Sequence, residues 1–310
     1  MFRLQDYMKR SEDLKSSALI VPKEEEIRQI QLILFEMFKD MRNFFERHDL
    51  QYVLVGGSAL GAIRHQGFIP WDDDIDIDMP RDSYDRFVQL FDNDIELQEK
   101  YLMAAPDSSR RPNEFNIRII SKRTKRQGIF NQNLLYHQGL CIDICAIDYV
   151  PDNKFLYYVK GIVSNILFFL INSKMIYICR TKLSDEMFSS SLVSKFFYSF
   201  RLFLGLCLSP ISYKRLCGLF DGYIASSKPS KKVSTPSGRK HYFGETWPSS
   251  LFFPFKKAKF ETETVYIPND IDGYLRGMYG DNYMELPPEE KRERHACVLL
   301  DLDFKQHNDE

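Results

Sequence analysis

Residues 51–80 read "QYVLVGGSALGAIRHQGFIPWDDDIDIDMP", and this stretch decides the fold. Its short apolar run ends at a glycine pair, which is typical of a strand that enters a tight turn. The following letters, "SALGAIRHQG", predict a short helix that begins at Ser58 as N-cap and ends at Gly67. The letters "DIDIDM" alternate carboxylate with apolar side chains, as a half-buried strand does. The stretch therefore predicts strand, turn, helix and strand in that order.

The second predicted strand carries most of an unusual concentration of negative charge: Asp72, Asp73, Asp74, Asp76 and Asp78. Strands are normally depleted in aspartate, and like charges this close repel one another. Because side chains alternate along a strand, we expect Asp74, Asp76 and Asp78 to share one face. A cation would make such a face tolerable, and oxygen ligands suit Mg²⁺ or Mn²⁺. A solvated acidic edge strand is the alternative, but it explains neither the clustering nor the glycine turn.

A second acidic strand is predicted at 139–148, "GLCIDICAID". Asp143 is an isolated charge in an apolar run there, and an unpaired buried carboxylate is costly, so we expect it to have a partner. If the two acidic strands are neighbours, Asp143 would be a third metal ligand beside Asp74 and Asp76. A helix cap or a salt bridge is the alternative. Asp148 is expected to be a loop or turn residue at the end of the strand.

The glycine turn complements the carboxylates with features that suit a phosphate. Gly56 and Gly57 allow the backbone to approach a ligand closely, and a helix that opens at Ser58 attracts anions to its N-terminus. Arg64 lies about two turns along that helix, where it could reach an anionic oxygen. A glycine pair is weak evidence alone, but an Asp-x-Asp strand within twenty residues makes it strong.

Composition restricts the protein's class. The chain has 310 residues, of which 44% are hydrophobic and 27% charged, and its formal charge of −1 gives no case for a nucleic-acid partner. It has no run of 18 apolar residues, so we expect no transmembrane helix. Two shorter apolar stretches, 161–172 and 196–212, fit either buried helices or an amphipathic surface that rests on a membrane.

The order of patterns predicts a mixed α/β (α+β) fold in three parts. A catalytic core is expected over 24–150, opened by a long amphipathic helix, and a mainly helical insert on the acceptor side over 151–240. The last part, 241–310, is expected to return to the core. It contains a β-like stretch, 259–268, and two helical pieces, 270–280 and 287–304.

The motif "VGGSALGAIRHQGFIPWDDDIDIDMPRDSYDRF" resembles the signature of the LicD/fukutin-type phosphotransferases, within the nucleotidyltransferase superfamily. The later "GLCIDICAID" is similar to the family's second acidic strand, and "LRGMYGDNYMELPPEEKRERH" to its C-terminal region. The resemblance covers roughly 25–150 and 250–295, whereas 151–240 matches nothing familiar. It implies a nucleotidyltransferase-like core sheet flanked by helices.

The resemblance also implies an activity: transfer of a phospho-alcohol, typically phosphocholine, from a CDP-activated donor such as CDP-choline to a sugar hydroxyl. The acceptor would be a glycan or glycolipid of the cell surface, such as capsule, lipopolysaccharide or teichoic acid. The enzyme would work in the cytoplasm, with contact at the inner face of the membrane left open. Transfer of NMP from an NTP to a small molecule or sugar is the alternative, because the same carboxylates would serve it.

On this interpretation Asp74 and Asp76 are metal ligands, and Asp143 is a third ligand or the acceptor of the hydroxyl proton. The remaining candidates would bind substrate: Gly56, Gly57, Ser58, Arg64, Trp71, Asp72 and His295. Trp71 could stack on the base or cage a quaternary ammonium through cation–π attraction, although a packing role fits equally. A structural role is also open for His295. Asp73 and Asp78 are expected to be bystanders.

Overall fold

The computed structural model describes residues 19–106, 114–134, 136, 138–188, 191–293 and 295–304. Its first half contains a long helix, then a sheet interrupted by three short helices. In chain order the elements are α1 (Glu24–Arg47), β1 (Val53–Leu54), α2 (Gly56–Arg64), β2 (Asp76–Pro80), α3 (Arg81–Phe91), α4 (Ile95–Lys100), β3 (Tyr101–Ala104), β4 (Ile117–Ser121), β5 (Lys125–Gly128) and β6 (Cys141–Tyr149).

The second half is mainly helical until residue 224 and mixed thereafter. Its elements are α5 (Lys154–Ile178), α6 (Lys182–Phe188), α7 (Leu192–Cys207), α8 (Tyr213–Ile224), β7 (Lys232–Ser234), α9 (His241–Gly244), β8 (Thr246–Pro248), α10 (Ser249–Phe252), β9 (Lys256–Phe260), β10 (Glu263–Ile267), α11 (Ile271–Tyr279), a 3₁₀ turn (Glu289–Lys291) and β11 (Cys297–Asp301).

The central sheet is mixed, with strand order β1-β2-β6-β4-β3, and β7 extends it beside the end of β6. Only β2 and β6 run parallel to each other among the described pairs of this sheet, and their register sets Asp76 directly opposite Asp143. The prediction that the two acidic strands are neighbours is therefore confirmed. The mixed helix-and-sheet class is confirmed with it.

Helix α1 covers one face of this sheet with an apolar stripe at three- and four-residue spacing. Ile30, Leu34, Phe38, Met41 and Phe45 have no exposed side-chain surface, and they join the isoleucines of β2, β4 and β6 in one core. Burying a side chain of this size contributes about 1.5–3 kcal/mol. The sheet face that carries the carboxylates is thus held from behind by a rigid helix.

The start of α2 differs from the prediction. The helix begins at Gly56, with Val55 as N-cap, and Ser58 lies inside its first turn, so the N-cap assignment of Ser58 is wrong. The cause is the φ angle of Gly56, +53°, a left-handed value that lets the chain turn from strand to helix two residues earlier.

Helices α5 to α8 confirm the predicted helical character of the middle of the chain. The Phe168 ring of α5 contacts Phe115 beside β4, with ring centroids 5.1 Å apart. Among the described residues, α5 is also the one helix that is long and apolar enough to cross a membrane by length and composition. That differs from our expectation of no such helix, although core helices of soluble proteins pass the same test.

The C-terminal part confirms the β-like stretch as the hairpin β9–β10 and the first helical piece as α11. The second predicted helix, over 287–304, is wrong: only a 3₁₀ turn forms, and Cys297–Asp301 is a strand. That strand pairs antiparallel with β5. The open edge of β5 supplies backbone partners for an apolar run, and this tertiary contact outweighs the helical propensity of the charged residues before it.

Candidate active site

A cavity of about 900 Å³ lies where the carboxylate face of β2 and β6 meets the start of α2, the loop after β7 and the C-terminal segment. Five aspartates line it: Asp72, Asp74, Asp76, Asp78 and Asp143. The alternating isoleucines of β2, by contrast, are buried in the core. The predicted division of β2 into a carboxylate face and an apolar face is confirmed.

Near the glycine turn the cavity contains more carboxylates than positively charged side chains. Burial raises the pKa of Asp76 well above its usual range, and the charges of Asp74 and Asp143 raise it further. Burial and the neighbouring Asp74 likewise raise the pKa of Asp72. Burial also raises the pKa of Asp74. Since each group is harder to ionise than a free carboxyl, a bound cation would be strongly favoured here.

The positions of these carboxylates, and not only the turn, require glycine at residues 56 and 57. A Cβ at Gly56 would lie 2.8 Å from Oδ2 of Asp76, and a Cβ at Gly57 would lie 2.5 Å from Oδ2 of Asp72. Both separations are shorter than van der Waals contact. Only glycine therefore lets the start of α2 approach the acidic strand this closely.

Two hydrogen bonds fix the glycine turn against the strand. Ser58 is buried, and its Oγ accepts from the backbone N–H of Asp76 at 3.0 Å. The N–H of Gly56 donates to the hydroxyl of Tyr274 at 2.9 Å. Ser58 thus lies beneath the cavity and positions the start of β2. Sequence patterns gave no signal for Tyr274, which comes from α11, far along the chain.

Asp143 has the partner that its isolation predicted. Arg118 of β4 donates to both of its oxygens, with Nε at 2.7 Å and Nη2 at 3.2 Å. The salt-bridge alternative is therefore what the structure shows, while the role of Asp143 as a ligand stays a prediction. Arg118 was missed, although it stands between Ile117 and Ile119 as Asp143 stands between two isoleucines. The same signal, a lone charge in an apolar strand, would have found it.

Asp73 and His295 form a cluster in which negative and positive charge balance, beside the carboxylates whose negative charge is in excess. The Nδ1 atom of His295 lies 2.6 Å from Oδ1 of Asp73, and the Arg126 guanidinium contacts the other oxygen. Burial lowers the pKa of His295, but the hydrogen bond and charge of Asp73 outweigh this and raise it to about 9. His295 lines the cavity as predicted, whereas Asp73 is more than a bystander because it orients that histidine.

Asp78, the other expected bystander, is a cavity residue with its own partner. The hydroxyl of Thr235 donates to its Oδ2 at 2.7 Å. Burial raises the pKa of Asp78 to about 8, although that hydrogen bond opposes the shift. The Thr235 hydroxyl thus gives Asp78 a hydrogen-bond partner from the loop after β7.

Two predicted site residues join the C-terminal segment to the rim of the cavity. The Nη1 atom of Arg64 donates to the backbone oxygens of Tyr283 and Glu285, at 2.9 and 3.1 Å. Trp71 lines the cavity, and the guanidinium of Arg292 lies 4.4 Å from its ring centroid. Both contacts hold the segment in place, and the predicted contacts of Arg64 and Trp71 with substrate stay predictions.

The glycine turn, the first acidic strand and the start of the second lie in the part of the chain that matches a known family. Residues 49–144 match the family model described as LicD/FKTN/FKRP, nucleotidyltransferase domain. The chain therefore carries a LicD-type domain and is a LicD-like phosphotransferase.

Particular relatives support this. Over 272 residues the chain is 28% identical to the lipopolysaccharide cholinephosphotransferase LicD of Haemophilus influenzae, covering 87% of this chain and 95% of that protein. It is 37% identical over 59 residues to an uncharacterized protein of Rickettsia typhi, with 19% of each chain covered. It is 44% identical over 46 residues to an uncharacterized protein of Rickettsia prowazekii, with 15% of this chain and 17% of that one covered.

Proposed function

We propose that the protein transfers a phospho-alcohol, first of all phosphocholine, from a CDP-activated donor to a sugar hydroxyl of a cell-surface glycan. The observation that carries the proposal is the parallel register that sets Asp76 opposite Asp143 in a cavity also lined by Asp74. The Haemophilus relative, named as acting on lipopolysaccharide, supports the glycan acceptor and the choline phosphate.

A divalent cation, Mg²⁺ or Mn²⁺, is part of the proposal. Asp74, Asp76 and Asp143 would hold it, and the donor set fits because it offers only oxygens and a surplus of negative charge. Bound there, the metal would neutralise charge on the donor phosphates. No soft ligand is needed, which favours these two ions over zinc or copper.

The chain's own residues can divide the remaining work. The start of α2 at Gly56 and Gly57 presents backbone N–H groups and a helix N-terminus to a phosphate. His295, whose pKa is raised to about 9, and Arg118, which is paired with Asp143, supply positive charge beside the acidic cluster. Asp143 would be either the third ligand or, once released from Arg118, the acceptor of the proton of the attacking hydroxyl.

Trp71 is the proposed contact for a quaternary ammonium. Its ring lines the cavity, and Arg292 already demonstrates that the ring face accepts a cation. A choline head group would replace this guanidinium in the same position.

We propose a nucleotidyltransferase-like core over 24–150, with 151–240 on the acceptor side and 241–310 packed on the core.

The test is release of CMP from a panel of CDP-alcohols (choline, ethanolamine, glycerol and ribitol) with Mg²⁺ and a lipopolysaccharide or teichoic acid acceptor. We expect CDP-choline to give acceptor-dependent CMP, and EDTA to abolish it. Asp76→Asn should remove the activity, while Asp82→Asn, at an exposed position in the first turn of α3, should keep it. Absence of CMP from every donor in the panel would contradict the proposal.

A second candidate is transfer of NMP from an NTP, which the wording of the matching family description favours. The two reactions are separated by their products, because this one releases pyrophosphate instead of CMP. Incubation with each of the four NTPs and a sugar phosphate, followed by a pyrophosphate assay, decides between them.

A further inference from the structure

Helices α5 and α7 pack against each other and leave a broad apolar surface open, which we call the α5–α7 face. On α5 it follows one side at helical spacing through Phe155, Val159, Ile162 and Ile166, and it continues on α7. The exposed fractions are 73% for Phe155, 53% for Ile162 and Ile166, 87% for Leu192, 68% for Phe196 and 60% for Phe203.

The residues that the structure describes leave this surface uncovered. Helix α5 is apolar enough to cross a membrane, yet only 33% of its most apolar stretch is buried. Soluble monomers rarely expose contiguous apolar patches of this kind unless the patch binds a partner. An apolar partner surface is therefore needed to explain the face.

The charge around the face indicates which partner. The segment from α5 to α8, residues 154–224, contains nine Lys and Arg but three Asp and Glu, although the whole chain carries a formal charge of −1. Lys154 at the start of α5, Lys182 on α6, Lys195 on α7 and Arg215 on α8 are all exposed. Lys154 and Lys195 directly precede Phe155 and Phe196 of the face. An apolar surface with basic residues beside it is complementary to a layer that is apolar inside and anionic at its surface.

Contacts along α5 favour a helix that lies on such a layer over one that crosses it. The Nζ atom of Lys160 donates to the Ile224 backbone oxygen at 2.9 Å, and that of Lys174 donates to Leu208 at 3.1 Å. The middle of α5 also packs on the rest of the fold, because Gly161 leaves no space for a Cβ beside Phe243. One side of the helix is thus occupied by protein along its length, and the other side is free.

We propose that the α5–α7 face lies on an anionic lipid bilayer, with its phenylalanines and isoleucines inserted and its basic rim on the lipid phosphates. This does not depend on the proposed function. It does place the cavity close to the bilayer, because Phe115, which lines the cavity, contacts Phe168 of α5.

The test is co-sedimentation of the full chain with vesicles of phosphatidylglycerol and phosphatidylethanolamine, and with vesicles of phosphatidylcholine as the uncharged comparison. We expect binding to the anionic vesicles that weakens with salt and is much weaker to the uncharged ones. Phe196→Ser combined with Phe203→Ser should lower the partition coefficient at least about tenfold. Ile95→Ser, at an equally exposed site on α4, should leave it unchanged.

The basic rim is tested separately. Lys154→Gln and Lys195→Gln should each lower the partition coefficient about fivefold, whereas Lys256→Gln and Lys259→Gln, on the exposed hairpin, should not. Circular dichroism and CMP release with a soluble acceptor should match the unmodified chain, since all these side chains are exposed. Failure of the unmodified chain to sediment would overturn the proposal. So would a dimer in solution that Phe196→Ser with Phe203→Ser converts to monomer, since a second copy would then cover the face.

Discussion

The two ends of strand β6 each carry an aspartate that is paired with an arginine, but the surroundings of the two pairs differ. Asp143, paired with Arg118, opens onto the cavity beside Asp74 and Asp76, and this group as a whole has more negative than positive charge. Five residues along the same strand, Asp148 is buried and receives two hydrogen bonds from the Arg81 guanidinium, at 2.8 and 2.7 Å.

We call the Asp148 end of β6 the matched end, because its negative charge is balanced by Arg81, and the Asp143 end the unmatched end, because negative charge is in excess there. The matched end connects elements of the fold, whereas the unmatched end is suited to a ligand. Arg81 opens α3 and also donates to Asp221 of α8 at 2.8 Å, so one guanidinium joins the sheet to the helical segment. Asp148, which is paired in this way and is buried without lining the cavity, has little to offer a substrate. A buried carboxylate without sufficient countercharge is costly to keep, and a cation or a positively charged substrate group would relieve that cost.

The strongest test of this comparison is to remove charge from the unmatched end. We expect Asp76→Asn and Asp74→Asn to lower the rate of CMP release at least about 100-fold, because the site would lose an oxygen ligand. In the absence of metal the free energy of unfolding should stay the same or rise, since repulsion among the carboxylates is relieved. CMP release and urea unfolding in EDTA measure the two effects. Full activity of either variant at saturating Mg²⁺ would contradict the ligand assignment.

The matched end should respond in the opposite way. Arg81→Met leaves Asp148 buried without its partner, so we expect the free energy of unfolding to fall by about 3–5 kcal/mol. The control is Arg47→Met, which breaks an ion pair to Asp94 with a largely exposed arginine and should cost within about 1 kcal/mol. Urea unfolding of both variants measures the difference. Equal losses would show that the Arg81 network does not hold the fold.

The glycine turn tests how tightly the unmatched carboxylates are positioned. Gly57→Ala would place a Cβ 2.5 Å from Asp72, so the carboxylate or the helix must shift, and we expect CMP release to fall about 100-fold. Gly222→Ala is the matched control, because no described residue lies within 4 Å of a Cβ added there. That variant should keep full activity and gain about 0.5–1 kcal/mol of stability from better helix propensity. Full activity of Gly57→Ala would mean that this close approach is not needed.

Sequence patterns predicted the parts of the molecule that depend on local spacing. Alternation located β2 and β6 and the shared face of their aspartates, and the glycine pair located the turn before α2. The assignment of Ser58 as N-cap failed because it depended on the φ angle of Gly56, which composition does not reveal. The predicted C-terminal helix failed because β11 forms only when the edge of β5 is present.

Ion pairs between residues far apart in the chain were the main feature that sequence patterns did not predict. Asp148 was expected in a loop, since nothing near it in the chain shows that Arg81 folds back onto it. For the same reason Asp73 was set aside, although its partners Arg126 and His295 come from β5 and the C-terminal segment. A carboxylate's role is set by the cations that the fold brings to it, and those cations are not encoded by the local sequence.

Asp73 and Asp74 are adjacent in the chain, but Asp73 is paired with positive charge whereas Asp74 belongs to the carboxylates in excess. The pH dependence of stability can distinguish the two. The His295 pKa is raised from 6.5 to about 9 in the folded protein, so the stability it contributes is complete below pH 6.5 and is lost as pH rises toward 9. The pKa of Asp73 is lowered, because bonds from His295 and charge from Arg126 outweigh the effect of burial, so its contribution is lost only in acid.

We therefore expect the free energy of unfolding of the metal-free chain to fall between pH 6.5 and 9 by about 1 kcal/mol, after allowance for solvent screening. His295→Gln keeps a hydrogen-bonding side chain but has no proton to lose in this range, so its stability should change less over the same interval. The difference between the two profiles isolates His295 from other groups that titrate there. If the unmodified chain and His295→Gln lose stability equally over this interval, His295 does not contribute a positive charge to the pair with Asp73. Asp73 would then be neutralised by Arg126 alone.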